Sequence, residues 1–329
     1  MLHSPPSSDI SFFVPTMSSD SSRALFGHVP SFSFEFFPPK TPEGAQALTN
    51  TILELRDFRP SFVSVTYGAG GGSRRLTREV VTDLQNRGIP TVPHLTCVGH
   101  TEEELEEILH GYINAGARAI MALRGDPPRN APATLTREAF HHAAELVRFI
   151  RAWEERQRFP FRLTIGVAGF PEGHPDSRNR LKEMDYLKAK LDEGADYICT
   201  QLFFDNHAFF DYRDRCRLMG IDVPIIAGIM PVTTISGMNR MAELSAGTNF
   251  PARLLKAMLR AGGDKQSIER IGINYASNQC GELLDADVDG IHFYTLNRSR
   301  ATLKIYRNLG INNYFDVDRI HMLNDIYRS

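Results

Sequence analysis

The feature that most constrains this chain is a rhythm. From Ser31 onward, short apolar runs alternate eight times with segments of helical character. The runs are Phe32–Phe37, Phe62–Tyr67, Thr91–Cys97, Ala119–Leu123, Arg162–Ala168, Tyr197–Phe204, Pro224–Ile229 and Gly290–Thr295. Several are almost continuously apolar, as strands buried on both faces must be. Helical segments lie between them. Thr101–Ala115 opens with Thr101 and Glu104, the spacing of a capping box. Thr136–Trp153 has Thr136 as N-cap, Asn179–Glu193 runs into Gly194, and His207–Met219 runs into Gly220. Thr233–Ser245, Pro251–Ala261 and Gln266–Asp285 occupy the long stretch between the seventh and eighth runs. Eight β-then-α units predict an α/β fold, a (β/α)8 TIM barrel. The rival is a doubly wound sheet with a small second domain, which no break in composition supports.

The length of 329 residues suits one large barrel with tails or two domains of about 150 residues. The reading divides the chain into a disordered tail over 1–28, a catalytic barrel over 29–310 and a C-terminal appendage over 311–329, with no added regulatory domain. The tail holds eight serines and three prolines, with Arg23 set against Asp9 and Asp20. It buries too little apolar surface to offset its ordering entropy, and it lacks the Arg-rich, acid-poor character of a transit peptide. With 37 Lys and Arg against 39 Asp and Glu, the net charge is −2. That balance argues against a nucleic-acid binder or a polybasic membrane-surface protein. Cys97, Cys199, Cys216 and Cys280 form no CxxC, which fits neither a zinc site nor a disulfide framework and points to the reducing cytoplasm. No apolar run has the length of a membrane helix.

A barrel of this kind carries its chemistry at the carboxyl ends of its strands. Glu35 stands out there, inside SFSFEFFPP and flanked by Phe32, Phe34, Phe36 and Phe37. A carboxylate desolvated among aromatics is suited to general acid catalysis, and its bland alternative is an ion pair with a buried cation. Arg124-Gly125-Asp126 follows the fourth run, where an arginine can fork onto a phosphate, or the three can form an ordinary turn. Gly68–Ser73, GAGGGS, fits neither GxGxxG nor GxxxxGK[ST] and reads as a flexible substrate loop. His94 lacks the companions of a metal site, and no metal is expected. His141-His142 reads as a pair on a helix face. Gln201, in otherwise apolar surroundings, either reads a heterocycle edge or is tied to backbone.

Eight stretches, one per strand and in order, resemble the methylenetetrahydrofolate reductase family in its bacterial, catalytic-domain form: SFEFFPPKT, FVSVTYGAGG, PHLTC, ALRGDPP, GFPEGHPDS, LKAKLDEGADYICTQLFFD, PIIAGIMPV and FYTLNR. The resemblance runs from about Ser31 to about Leu309. It implies a (β/α)8 flavoprotein with non-covalent FAD that reduces 5,10-methylenetetrahydrofolate to 5-methyltetrahydrofolate. NADH or NADPH, with NADH preferred, would supply hydride through the flavin in ping-pong order, feeding methionine synthesis and one-carbon metabolism. It also implies a cytoplasmic homo-oligomer.

Residue by residue, Glu35 matches the family's general acid and Asp126 the carboxylate beside the pterin. Thr66 matches a nicotinamide-nucleotide contact. Tyr67, Ala69, His94, Arg124, Gly125, Asp126, Ala143, Phe170, His174, Glu183 and Lys190 match FAD contacts. Gln201 matches an amide shared by folate and nicotinamide, and Arg298 a folate contact suited to the anionic glutamate tail. The chain departs from its relatives at four places: Glu183 stands for an Asp, Phe170 for a Tyr, Gly237 for a folate-binding Gln and Met241 for a stacking Phe. The competing functions are a non-redox lyase or isomerase acting on a phosphorylated small molecule, and a non-catalytic folate- or flavin-binding relative. The stretch Gly228–Val232 offers little for the first, and retention of Glu35, Asp126 and Gln201 argues against the second.

Overall fold

A computed structural model describes residues 30–67, 74–125, 139–174, 177, 179–245, 248–313 and 316–317. Eight parallel strands close into a barrel in chain order: β1 (Ser31–Phe36), β2 (Phe62–Val65), β3 (Thr91–Thr96), β4 (Ala119–Leu123), β5 (Thr164–Gly169), β6 (Tyr197–Thr200), β7 (Ile225–Ile229) and β8 (Gly290–Tyr294), which pairs back with β1. Ten helices accompany them among the described residues: α1 (Pro42–Arg56), α2 (Arg74–Asn86), α3 (Glu102–Asn114), α4 (Ala143–Gln157), α5 (Arg180–Asp192), α6 (Asn206–Leu218), α7 (Ile235–Leu244), α8 (Ala252–Arg260), α9 (Lys265–Asp285) and α10 (Arg300–Asn308).

Alternation along the strands sorts the side chains into two layers. Phe34, Val65, Leu95, Ile120, Ile165, Ile198, Ile229 and Phe293 face outward into the main core shared with the helices. Each such burial contributes about 1.5–3 kcal/mol. Phe62, Val92, Met121, Tyr197 and Ile226 fill the barrel interior. Glycines make room for the large interior rings: a Cβ on Gly166 would lie 2.3 Å from the Tyr197 ring, and one on Gly228 would lie 2.7 Å from Tyr294.

The helix signals behave as their chemistry predicts. Thr101 and Glu104 exchange reciprocal bonds at the start of α3. Asn179 caps α5, and Gly194 follows it in the left-handed conformation with φ +103°. Three helices, α7 to α9, occupy the stretch before β8. The sequence reading omits α1, α2 and α10, although Thr41-Pro42 is an N-cap followed by a proline in the first turn.

Two expectations need correction. The sixth apolar run extends to Phe204, but β6 ends at Thr200. Beyond it the backbone is satisfied by side chains of α9: Gln279 donates to the Phe203 carbonyl at 2.9 Å and Tyr275 to the Phe204 carbonyl at 2.6 Å. Apolarity there marks burial of a loop rather than sheet pairing. The helix expected over Thr136–Trp153 begins at Ala143, and Thr136 lies outside the described residues. His141 and His142 precede the helix. Glu145 folds back to accept both of their N–H groups, at 2.7 and 2.8 Å, and this closes the helix start seven residues later than expected. Among the described residues, no helix is long and apolar enough to cross a membrane.

Candidate active site

Period-two alternation decides what surrounds Glu35. Phe32, Phe34 and Phe36 point out into the core behind β1, and Phe37 is exposed past the strand end. The aromatic shell expected around the carboxylate is therefore on the wrong face of the sheet. Glu35 points into the barrel, one-fifth exposed, where its Oε2 lies 3.5 Å from Nε2 of His94 and 3.8 Å from Nε2 of His292. Its neighbours in register are Ser64 on β2 and Tyr294 on β8.

His292 is anchored on both ring nitrogens, by Ser33 Oγ at 2.7 Å on Nδ1 and Ser64 Oγ at 3.2 Å on Nε2, and its ring stacks on Phe62. Burial lowers the pKa of His94; the Glu35 carboxylate opposes that shift and His292 adds to it. The sequence reading missed His292. Its signal was available in Gly290–Tyr294, where Ile291 and Phe293 alternate outward and leave His292 and Tyr294 for the interior.

A second cluster forms where α5 meets the end of β5. Lys190 extends its ammonium to the Ala168 carbonyl at 2.6 Å, and burial lowers its pKa to about 8 against the opposing pull of Glu183. Glu183 accepts the His174 N–H at 3.0 Å through Oε2, while its buried Oε1 has no hydrogen-bond partner among the described residues. Burial raises the Glu183 pKa. Phe170 and His174 meet edge to face at 4.7 Å. A buried cation beside an acceptor left without a donor suits a ligand that brings both an anionic group and a hydroxyl.

The other predicted residues that the structure describes follow strand ends or open a helix on the same side of the barrel. Thr66 follows β2 and pairs its N–H with the Phe36 carbonyl at 2.9 Å. Tyr67 meets the His100 ring edge to face. Arg124 and Gly125 follow β4, and Gly125 has φ +82°, a conformation that favours glycine. A Cβ on Gly125 would also lie 2.8 Å from Thr96 Cβ. Ala143 is the first residue of α4. Gln201 follows β6, half-buried, its Oε1 accepting the Leu202 N–H at 2.9 Å. Arg298 is exposed in the turn after β8, its N–H on the Thr295 carbonyl at 3.0 Å. Ala69, Asp126 and the whole of Gly68–Ser73 lie outside the described residues. Of the departures, Met241 is buried with Leu202, Met230 and Leu254, and the Gly237 N–H is taken by the Thr234 cap of α7. No group of three or more His, Cys, Asp and Glu among the described residues is arranged to hold a metal.

A family profile and the sequence relatives agree on one family. A profile described as methylenetetrahydrofolate reductase matches residues 22–310. The 5,10-methylenetetrahydrofolate reductase of Escherichia coli is 37% identical over 281 residues, covering 85% of this chain and 90% of that protein. Methylenetetrahydrofolate reductase 1 of Schizosaccharomyces pombe is 36% identical over 283 residues, and methylenetetrahydrofolate reductase (NADH) 1 of Arabidopsis thaliana 36% over 292. Each of these two matches covers 85% of this chain, which spans about half of their length, 46% and 48%. A solved Clostridium thermocellum protein, described as binding two copies of 5-methyl-5,6,7,8-tetrahydrofolic acid, shares the fold with a TM-score of 0.61 at 15% identity, over 88% of this chain and 97% of that one.

Proposed function

The chain belongs to the methylenetetrahydrofolate reductase family, and from that premise we propose that it reduces 5,10-methylenetetrahydrofolate to 5-methyltetrahydrofolate with a reduced nicotinamide, NADH in our reading, as electron source. FAD, when bound, supplies the hydride relay between the two substrates, which take turns at one face. The residues present fit such a cofactor. Lys190 and Arg124 would meet its pyrophosphate, the unpartnered Oε1 of Glu183 would accept a ribose hydroxyl, and Phe170 and His174 would flank it. The extra methylene of Glu183 relative to an Asp is accommodated by anchoring its other oxygen on the His174 N–H.

The single observation that carries the reading is the inward-facing Glu35, set at the barrel mouth beside His94 and His292 and, among the described residues, in no ion pair with a Lys or Arg. The folate's five-membered ring opens only when its departing nitrogen gains a proton. Glu35 gives that proton, the carbon–nitrogen bond breaks, and the electron pair stays on the nitrogen. The resulting iminium carbon takes the hydride and becomes the methyl group. His94 and His292, both within 4 Å of the carboxylate oxygen, would relay a proton from solvent back to Glu35. Asp126 would stabilise the cationic iminium, Gln201 would hold the heterocycle edge, and Arg298 would meet the glutamate tail. Thr66 would contact the nicotinamide nucleotide, and Tyr67, Ala69, Gly125 and Ala143 would complete the cofactor's surroundings. A cytoplasmic homo-oligomer with folate and nicotinamide as its small-molecule partners completes the proposal.

Purification tests this reading. The protein should be yellow, with flavin absorbance, and under anaerobic conditions should oxidise NADH or NADPH beyond one equivalent per flavin only when 5,10-methylenetetrahydrofolate is supplied. A colourless protein that cannot be reconstituted with FAD would overturn it.

A further inference from the structure

The backbone pairing between β1 and β8 ends at Glu35 opposite Tyr294, yet the two chains stay joined for two residues more. Thr295 Oγ1 donates to the Glu35 carbonyl at 2.7 Å. Past it, the side chain of Asn297 meets Phe37 twice: Oδ1 accepts the Phe37 N–H at 2.9 Å and Nδ2 donates to the Phe37 carbonyl at 2.8 Å. A donor and an acceptor presented together match the C=O and N–H of one residue, so the amide behaves as an added rung of the sheet. To bring it there, Leu296 and Asn297 both adopt left-handed backbone, φ +50° and +58°. Asn tolerates that region, whereas Leu does so at a cost, and Leu296 is half exposed, so burial does not compensate.

What holds the turn is Asn297, all four of whose polar groups are bonded. Besides the two side-chain contacts, its N–H donates to Thr295 Oγ1 at 3.1 Å and its carbonyl accepts from Thr51 Oγ1 of α1 at 3.1 Å. The next residue is Arg298, and the one after, Ser299, bonds Glu54 of α1.

We propose that Asn297 is a positioning residue that sets the separation between Glu35 and Arg298, and hence between the proton donor and the cation for the substrate's anionic tail. The inference rests on the folate-reducing reading of the site. Two left-handed residues, of which Leu296 is strained, are fastened on one side to the strand end that carries the acid, and on the other they lead directly into the cation. A turn needed only for chain reversal would place glycine at its left-handed positions. Here side-chain chemistry replaces glycine and ties the reversal to one partner, Phe37, two residues from Glu35.

The test uses the full-length holoenzyme carrying Asn297→Gly or Asn297→Asp. Glycine keeps the left-handed backbone without strain and removes the amide. Aspartate keeps the acceptor for the Phe37 N–H and loses the donor to its carbonyl. Asn297→Gly should keep wild-type FAD content and flavin reduction by NADH, while the folate half-reaction slows tenfold or more and its KM rises. Displacements of about 1 Å at a reacting centre can cost a hundredfold. Asn297→Asp should fall between the two. Amide hydrogen exchange gives a readout independent of activity: Phe37 should lose protection in Asn297→Gly and retain it in Asn297→Asp. A folate half-reaction within twofold of wild type, or equal slowing of both half-reactions, would overturn the proposal. If the wild-type enzyme itself does not reduce the folate, the functional reading fails, and unchanged Phe37 protection in Asn297→Gly would then dispose of the clasp as well.

Discussion

His94 Nε2 and Glu35 Oε2 lie 3.5 Å apart across the barrel interior, one from β3 and one from β1. Burial and a neighbouring carboxylate act on the imidazole in opposite directions, and burial is the larger effect. Replacing Glu35 by Gln removes the opposing influence, so the His94 titration should move to still lower pH. Ring chemical shifts followed against pH check this. An unchanged or higher midpoint would show that the two groups are not coupled. Because a lowered histidine pKa means that the folded state binds fewer protons than the unfolded chain, His94 draws stability away as pH falls below about 6.5.

Lys190 yields a prediction about cofactor affinity. Its ammonium is buried and titrates at about 8 in the protein alone. An anionic pyrophosphate stabilises the charged form, so binding takes up a proton once the free site is neutral. FAD affinity should be flat below pH 8 and weaken by up to tenfold per unit above it. Fluorescence titration of apoprotein with FAD at pH 7 to 9.5 measures this. Lys190→Met should bind more weakly at pH 7 and lose the alkaline slope.

Gly125 should tolerate no side chain. Its φ of +82° and the 2.8 Å approach of a built Cβ to Thr96 make Gly125→Ala costly on two counts, about 1–3 kcal/mol in all. Because Arg124 precedes it directly, flavin retention on purification should drop together with the thermal midpoint. Full flavin occupancy in Gly125→Ala would remove Gly125 from the site.

Away from the mouth, Asp196 holds the junction of β5 and β6. It accepts from Ile165 N at 2.7 Å and from Arg151 and Arg162, and Arg151 also bonds the Gly194 and Leu163 carbonyls. Asp196→Ala orphans the buried Ile165 N–H and removes one of the two carboxylates on Arg151, which keeps Glu154 at 2.7 Å, a loss of about 1–3 kcal/mol. Urea unfolding should show the loss, with kcat per folded molecule unchanged.

The barrel was legible because parallel strands covered on both faces leave an apolar signature, and eight of them recur here with helices between. Ends were less legible. Leu202–Phe204 is as apolar as a strand but pairs with side chains of α9, and the approach to α4 depends on Glu145 reaching back over His141 and His142. In the candidate site, Glu35 was visible as a charge within an apolar run, but its surroundings were not. Neighbours in sequence face away from one another on a strand, so Phe32, Phe34 and Phe36 could not surround it, Phe37 lies exposed past the strand end, and the groups that do surround it come from β3 and β8, 59 and 257 residues away in number. Asn297 was invisible for the same reason, since its meaning lies in Phe37 on the far side of barrel closure.

On the proposed mechanism, Glu35 supplies the proton that opens the folate ring. Anaerobic stopped-flow absorbance of the flavin tests it most directly, with wild type and Glu35→Gln each followed through two separate half-reactions. Reduction of the flavin by NADH should proceed in the variant at close to the wild-type rate. Reoxidation by 5,10-methylenetetrahydrofolate should fall by at least a hundredfold, the general range for loss of a positioned acid being about 10²–10⁴. Equal loss in both half-reactions, or reoxidation at the wild-type rate, would contradict the assignment.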